Sequence, residues 1–290
     1  MTTRPSESPS SWPAPAACRC CSGGVWHARR AFVLAAAGAT ALPAMAQVDV
    51  GSASGMRKLV PAEQLESSAN QQYHQLLAEA RSKGALAGDG HPQLLRLRGI
   101  AQRIIPFATQ WNSGAARWRW EVNLIGSKQI NAFCMPGGKI AFYTGILDQL
   151  KLTDDEIAMV MGHEMAHALR EHARSRIAKS QATSIGLSLG AQLLGLGELG
   201  NMAASLGTQL LTLKYSRGDE TEADLVGLEL AARAGYDPQA AVSLWRKMGE
   251  ATGSGGVGFL STHPTGPDRI RELEQNVPRV QGLYQQARQR

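Results

Sequence analysis

The chain has 290 residues, of which 43% are hydrophobic and 19% are charged. These are the proportions of an ordinary globular protein, and the length allows a sizeable buried core. The formal net charge of +6 and the pI near 9.3 would suit a nucleic-acid or membrane-surface partner. The basic residues are scattered, however, without a Lys/Arg block flanked by aromatic residues. We therefore expect a mildly basic, solvated surface and no nucleic-acid partner.

Residues 1–46 have the pattern of an export signal. Arg29 and Arg30 precede a weakly hydrophobic stretch, AFVLAAAGATALPAMAQ, in which AMA supplies an A-x-A cleavage site. The arginine pair resembles a twin-arginine signal, and the general secretory route is equally open. The stretch is too short and too rich in Gly and Ala to predict a membrane span. We expect a periplasmic or exported protein, for which peripheral membrane contact stays open.

The cysteines give no sign of a disulfide framework. Cys18, Cys20 and Cys21 lie in the leader, and their CxxC has no second pair with which to form a zinc site. Cleavage after the leader would leave Cys134 alone. We therefore expect no internal disulfide in the mature chain.

The chain after the leader begins with two helical patterns and three strand patterns. Apolar residues at helical spacing predict amphipathic helices over 61–83 and 91–113. Short apolar runs bounded by turn residues then predict strands, with Pro136-Gly137-Gly138 as the turn between the last two. The predicted strands are 117–126, 129–135 and 138–144.

The remaining part is predicted to be mainly helical. Thr153 and Glu156 form a capping box, so a helix should begin near Asp154 and run to about Lys179. Helices around a small β element predict a single α+β domain. Further helices are expected over 219–234, after Asp237-Pro238, and after the glycine-rich loop 253–258.

Residues 181–213 form a long stretch of Gly, Leu and Ser in which Glu198 is the only charge. The apolar runs on either side of Glu198 are shorter than the ~20 residues that span a membrane, and glycine interrupts them. The composition favours a helical hairpin that covers a cleft as a lid or substrate gate. Membrane contact is the alternative.

The segment VMGHEMAHALREHA, residues 160–173, carries the chemistry. His163 and His167 are four residues apart, so on a helix their rings lie on one face, one turn apart, and can converge on one ion. Glu164 lies beside them, close enough to reach a metal-bound water without being a ligand. This HExxH pattern predicts a zinc hydrolase.

Two nearby side chains do not suit the third ligand position. On a continuous helix Glu171 lies ~12 Å along the axis from His163, too far to share an ion. His172 would point ~180° away from His163, so we expect a surface or packing histidine.

A downstream helix offers better candidates. Glu220 and Asp224 are four apart and therefore share a face. Glu220 would complete a His₂Glu site with one position left for water. Asp224 would accept the free N–H of a ligand histidine and fix its tautomer. Glu222 is a rival to Glu220, and geometry alone prefers Glu220 only mildly.

Four motifs in order resemble metallopeptidase family M48 over roughly residues 60–276. They are INAFCMPGGKIAFYTGIL (130–147), HEMAH, SRGDETEAD and LSTHPTGPDRI (260–270). The family includes CAAX prenyl endoproteases and envelope quality-control proteases. The resemblance implies a mainly helical, gluzincin-type domain with a small β-sheet next to the HExxH helix. It also implies one Zn²⁺ per chain, with Glu220 as the third ligand.

The resemblance also suggests a domain plan. We expect a linker over 47–60, the zinc metallopeptidase domain over 61–280 and a polar tail over 281–290. The chain ends at Arg290, so we expect no tetratricopeptide array of the kind that some members carry.

Further roles follow from the same resemblance. An exposed strand edge within 130–142 would align an extended peptide, and Asn131 would contact that peptide or serve a structural turn. His263 would stabilise the oxyanion, occupy the open zinc position, or be structural only. Arg217 would pair with Asp224 or substrate, and a surface role is equally open. We do not expect Cys134 to be a catalytic thiol.

The motifs and the resemblance together predict a zinc endopeptidase. The resemblance implies its substrate class, which is exported or membrane-associated, misfolded proteins in envelope quality control. Glu164 would accept a proton from water and pass it to the leaving amine. The alternative is a metal-holding periplasmic chaperone or adaptor whose proteolysis is normally shut off. The intact Glu164 argues against that alternative, because a binding-only protein needs no base.

Overall fold

A computed structural model of the chain describes residues 48–180, 210, 213–252, 258–263 and 268–290. The predicted export signal over 1–46 lies outside the described residues. So does the predicted lid over 181–213, apart from Leu210 and Leu213. Residues from Ala46 to Arg290 group into one compact unit.

Three short strands form a sheet with β3 (Lys139–Tyr143) at its centre. Strand β1 (Glu121–Ile125) pairs with β3 in parallel, and β2 (Ala132–Met135) pairs with β3 antiparallel. Between β2 and β3, Gly137 and Gly138 have φ values of +82° and +79°, which glycine adopts without strain. In the strand order β1-β3-β2, strand β2 lies at an edge of the sheet.

Two helices pack on this sheet near the start of the domain. They are α1 (Ala62–Ser82) and α2 (Pro92–Ile104), and short 3₁₀ turns follow α2. Helix α2 buries the side chains whose spacing predicted it: Leu94, Leu97, Ile100, Ala101 and Ile104. Tyr73 of α1 donates its hydroxyl proton to the carbonyl of Ile140 in β3 at 2.6 Å.

The remaining helices surround α4, whose residues from Glu156 to Leu169 are all buried. Together with the three-stranded sheet they confirm the predicted α+β class. None of the helices in the described ranges is both long and apolar enough to cross a membrane. The helices are α3 (Thr144–Leu150), α4 (Asp154–Leu169), α5 (172–180), α6 (Arg217–Arg233), α7 (Ala240–Thr252), α8 (Gly258–Thr262) and α9 (Arg269–Arg288).

The prediction of one helix from 154 to 179 is wrong, because the helix is interrupted between α4 and α5. Glu171 has a φ of +57°, in the left-handed region that a non-glycine residue rarely adopts. Its carboxylate is paired with Arg57 at 2.8 Å and with Arg174 at 2.6 Å. These ion pairs hold the unusual backbone conformation and turn α5 away from the axis of α4.

Both ends of the domain extend beyond the predicted boundaries. Val48 is buried, and its N–H donates to the Glu229 carboxylate at 2.6 Å. The segment predicted as a linker, 47–60, is therefore attached to the domain where the structure describes it. Helix α9 runs to Arg288 and buries Leu283, so most of the predicted polar tail is helical.

Candidate metal centre

Helices α4 and α6 meet at a pair of glycines. A Cβ on Gly162 would lie 2.7 Å from the carbonyl oxygen of Gly227, and a Cβ on Gly227 would lie 2.6 Å from the backbone nitrogen of His163. Glu220, Asp224 and Gly227 are spaced i, i+4, i+7 and share one face of α6. The close backbone contact therefore directs both carboxylates towards His163.

Four buried side chains converge at this crossing: His163, His167, Glu220 and His263. The two Nε2 atoms of His163 and His167 are 3.1 Å apart. The Glu220 carboxylate lies 3.5 Å from the first and 3.4 Å from the second. One ligand atom from each of the four lies within 4.8 Å of the others.

The donor atoms fit a divalent cation. The Nδ1 atoms of His163 and His167 each lie 2.9 Å from a hydrogen-bond partner. When Nδ1 carries the ring proton, Nε2 presents a lone pair. Burial lowers the pKa of His167 well below its usual value, which favours the neutral ring that a metal requires. Ligand atoms ~2 Å from a tetrahedral zinc lie roughly 3.3 Å apart. The distances among the two Nε2 atoms and the Glu220 carboxylate match that spacing.

Glu220 is held as a carboxylate. Burial alone would raise its pKa, but hydrogen bonds with His167 and His263 and the nearby His163 outweigh burial and place the pKa below its usual range. Arg269 adds a further ion pair with Glu220 at 3.1 Å. The ionised form is the one that can ligate a metal.

Glu164 faces the cleft beside these ligands. It is buried, and its Oε1 makes no hydrogen bond with the described residues, but the Nε2 of His263 lies 3.5 Å from it. Burial raises the pKa of Glu164, and the opposing influence of His263 and His163 does not cancel that effect. A carboxyl group with a raised pKa beside a cleft is suited to accept and release a proton.

Asp224 supports His163. The Nδ1–H of His163 donates to Asp224 Oδ1 at 2.9 Å. Arg269 binds the same carboxylate at 2.6 and 2.7 Å, and its guanidinium lies 3.3 Å from the centre of the Trp245 ring. Burial would raise the pKa of Asp224, but Arg269 and His163 outweigh it and lower the pKa. We call Asp224 with Arg269 the aspartate support.

One expectation about a charge partner needs correction. Arg217 is exposed at the first position of α6, whereas Asp224 pairs with Arg269, so the suggested pairing of Arg217 with Asp224 is wrong. Arg269 lies 45 residues beyond Asp224 and carries no motif signal by itself. A buried aspartate that requires a counter-charge was the available hint.

His172 does not point away from the site as predicted. It is buried, and its Nδ1 lies 2.9 Å from the Nδ1 of His167. Its Nε2 lies 3.3 Å from Glu222, which Arg170 also binds at 2.9 Å. The break at Glu171 is the reason, because the angular argument assumed a continuous helix. We call His172 with Glu222 and Arg170 the histidine support.

The cleft in front of the metal centre is lined by the edge strand and by α8. Asn131, Cys134, Glu164 and His263 all lie along it, together with Leu210 and Leu213. The side-chain oxygen of Asn131 accepts the N–H of Ala132 at 3.0 Å. Burial, and secondarily Glu164, raise the pKa of the Cys134 thiol, which keeps it protonated and agrees with the expectation that it is no nucleophile.

Comparison with known proteins identifies the family. The model described as peptidase family M48 matches residues 95–277, a range that contains His163, Glu164, His167, Glu220 and His263. The chain belongs to peptidase family M48. This membership confirms the expected metallopeptidase class.

The chain is similar to named proteases from a fungus and from bacteria. Mitochondrial metalloendopeptidase OMA1 of Schizosaccharomyces pombe is 39% identical over 194 residues, which cover 66% of this chain and 55% of that protein. The beta-barrel assembly-enhancing protease of Yersinia pestis is 28% identical over 174 residues, 56% of this chain and 35% of that protein. Metalloprotease LoiP of Escherichia coli is 27% identical over 159 residues, 52% and 60% of the two chains. The chain therefore spans between 35% and 60% of the length of these relatives.

Proposed function

We propose that this protein is a zinc-dependent endopeptidase in which His163, His167 and Glu220 hold one Zn²⁺ per chain. The observation that carries the proposal is the convergence of two Nε2 atoms and one carboxylate, 3.1 to 3.5 Å apart, beside the buried carboxyl group of Glu164. Imidazole ligands favour zinc over calcium or magnesium, which prefer oxygen. The crossing of α4 and α6 at their glycines provides the rigid frame.

Each protein group has a defined part in peptide hydrolysis. A bound zinc supplies Lewis-acid chemistry, which polarises a carbonyl and lowers the pKa of water. Glu164 Oε1 accepts the proton of the attacking water and then donates it to the leaving amine, as its raised pKa favours. The aspartate support and the histidine support hold the two imidazoles in orientation.

The cleft favours an extended polypeptide as substrate. Within the part of the chain that the structure describes, strand β2 pairs with β3 alone and leaves its other edge open beside Glu164. A peptide can add to such an edge as a further strand. Only an unfolded segment can adopt that conformation, which supports misfolded proteins as the substrate class. We place Asn131 and Arg217 among the residues that contact such a segment.

We propose an exported, envelope location, with peripheral membrane contact as an open part of the proposal. The leader pattern of residues 1–46 and the name of the Yersinia pestis relative, which refers to β-barrel assembly, support this location. OMA1 relatives are mitochondrial, so the family itself is compatible with more than one compartment.

His263 has two proposed roles that exclude each other at one moment. Its Nδ1 lies 3.1 Å from Glu220 and 3.3 Å from His163 Nε2, so it occupies the fourth corner of the ligand group. In that position it excludes water and holds the enzyme inactive. A catalytic role, as oxyanion donor, requires that α8 first withdraw the ring. Cleavage that increases in His263→Ala supports the inactive resting position, whereas cleavage that falls supports the oxyanion role.

Cleavage of unfolded casein by the full chain tests the proposed activity. Glu164→Gln keeps the shape and the zinc ligands but removes the base, so we expect zinc content to stay at one per chain and the rate to fall by roughly 10²–10⁴-fold. Glu63→Gln, at an exposed position of α1, is the matched control and should cleave like wild type.

Three results would reject the endopeptidase. One is that neither the zinc-loaded wild type nor the zinc-loaded His263→Ala variant cleaves casein. The second is a Glu164→Gln variant that cleaves at the wild-type rate. The third is that wild type and Glu164→Gln both prevent aggregation without cleaving casein, which would favour the chaperone or adaptor alternative.

A further inference from the structure

We infer that His172 and Glu222 form a positioning relay for the ligand histidine His167, fixing its tautomer and ring orientation so that Nε2 faces the metal. The inference rests on the proposed ligation of zinc by His167. His172 lies outside the HExxH pattern, and Glu222 was considered only as a rival third ligand.

Ligation of a metal by His167 Nε2 leaves a single direction of hydrogen bonding along the relay. When His167 Nε2 presents its lone pair to a metal, its Nδ1 carries the proton and donates to His172 Nδ1 at 2.9 Å. His172 must then carry its own proton on Nε2, where the Glu222 carboxylate accepts it at 3.3 Å. Every donor in the series therefore faces an acceptor, and the series ends on a negative charge.

The relay is fixed at its far end by Arg170. This guanidinium binds Glu222 at 2.9 Å and also donates to the carbonyl of Gly51 at 2.9 Å. Arg170 and His172 are both buried, so little freedom is left to either. Glu222 itself is held by two cationic or donor groups, and its pKa is lowered because hydrogen bonds with His172 and Arg170 outweigh partial burial.

The helix break explains how His172 reaches His167. Residues five apart on a continuous helix face different directions, roughly 140° apart. The left-handed backbone of Glu171 starts α5 in a new direction and returns the His172 ring to His167, with ring centres 5.0 Å apart. The strained residue is therefore associated with a defined contact at the site, as strained backbone often is.

A pair of substitutions at His172 separates positioning from packing. His172→Leu keeps bulk but removes the acceptor, whereas His172→Asn places an amide oxygen where Nδ1 stood. Zinc affinity of the full chain is measured by competition with a fluorescent chelator, and Co²⁺-loaded protein gives the absorption bands of the ligand field. His74→Leu, at a histidine whose side chain is 52% exposed, is the matched control.

We expect His172→Leu to raise the zinc Kd by about tenfold to a hundredfold and to shift the Co²⁺ bands. His172→Asn should stay within about threefold of wild type, and His74→Leu should not differ from it. If His172→Leu does not fold, Glu222→Ala tests the same relay from its partly exposed end and should shift the Co²⁺ bands.

Several results would overturn the relay without touching the proposed function. His172→Leu with wild-type zinc affinity would do so, as would His172→Asn binding zinc as weakly as His172→Leu. Unchanged Co²⁺ bands in Glu222→Ala would also do so. Wild type that binds no zinc would instead reject the proposed metal centre itself.

Discussion

The two ligand histidines of α4 are supported in different ways. The aspartate support binds His163 directly, lies wholly in the interior and ends in the ion pair with Arg269. The histidine support binds His167 through a second imidazole and ends at Glu222, whose side chain is 30% exposed. The aspartate support depends on α9. The histidine support depends on the interruption between α4 and α5 and on the N-terminal segment of the domain.

This difference implies that the fold does not hold the two ligand histidines equally firmly. Asp224 is a buried charge that a water molecule cannot replace, so its loss leaves Arg269 partly unpaired in the interior. Glu222 is within reach of solvent, which can take over part of its hydrogen bonding. The aspartate support should therefore matter more to zinc affinity.

The largest expected effect removes the frame common to both supports. Gly227→Ala would push a methyl group against the backbone of His163, so α6 must shift and carry Glu220 and Asp224 away. We expect the free energy of unfolding to fall by about 3 kcal/mol and the zinc Kd to rise by more than about a hundredfold. Thermal unfolding and chelator competition measure the two effects.

Gly249→Ala is the control for this change, because a Cβ on that helical glycine meets nothing within 4 Å. It should raise the free energy of unfolding by about 0.5–1 kcal/mol. If Gly227→Ala behaves like Gly249→Ala, the close crossing of α4 and α6 does not position the site.

An intermediate effect compares the two supports with each other. Asp224→Ala should raise the zinc Kd by roughly thirtyfold to a hundredfold, and Glu222→Ala by roughly threefold to tenfold. Parallel chelator titrations of both variants give the ratio. Equal losses, or a larger loss in Glu222→Ala, would contradict the ranking of the two supports.

The smallest expected effect lies at the start of α4, away from both supports. Glu156 is buried, which would raise its pKa, but hydrogen bonds from Lys247 and Ser243 outweigh burial and lower the pKa. A lowered folded-state pKa stabilises the protein above the unfolded value of about 4.3 and loses that effect as pH falls through the folded value.

Glu156→Gln should therefore lower the free energy of unfolding by about 1 kcal/mol at pH 7 and leave zinc affinity unchanged. At an acidic pH below the lowered folded-state pKa the two proteins should converge, because the wild-type carboxylate is then protonated. Denaturant unfolding at both pH values measures the difference, and a gap that widens on acidification would contradict the assignment.

Local patterns were sufficient to predict the parts of the fold that depend on neighbours in sequence. The capping box at Thr153, the turn at Gly137 and Gly138, and the i, i+4 spacing of His163 and His167 all act within a few residues. The family resemblance added the order of the motifs. The family match confirms the resemblance.

The rest depends on contacts that spacing does not encode. Glu220 could not be separated firmly from Glu222 until the glycine crossing fixed which face of α6 meets His163. The break at Glu171 was missed because glycine or asparagine normally occupies that conformation, and Arg57, 114 residues earlier, holds it here. His172 was misassigned for the same reason.

Anomalous diffraction at the zinc edge, on crystals of the purified full chain, tests the central claim most directly. We predict one strong peak per chain, about 2 Å from the Nε2 atoms of His163 and His167 and from the Glu220 carboxylate. No peak in zinc-loaded crystals, or a peak whose ligands do not include these three side chains, would contradict the account.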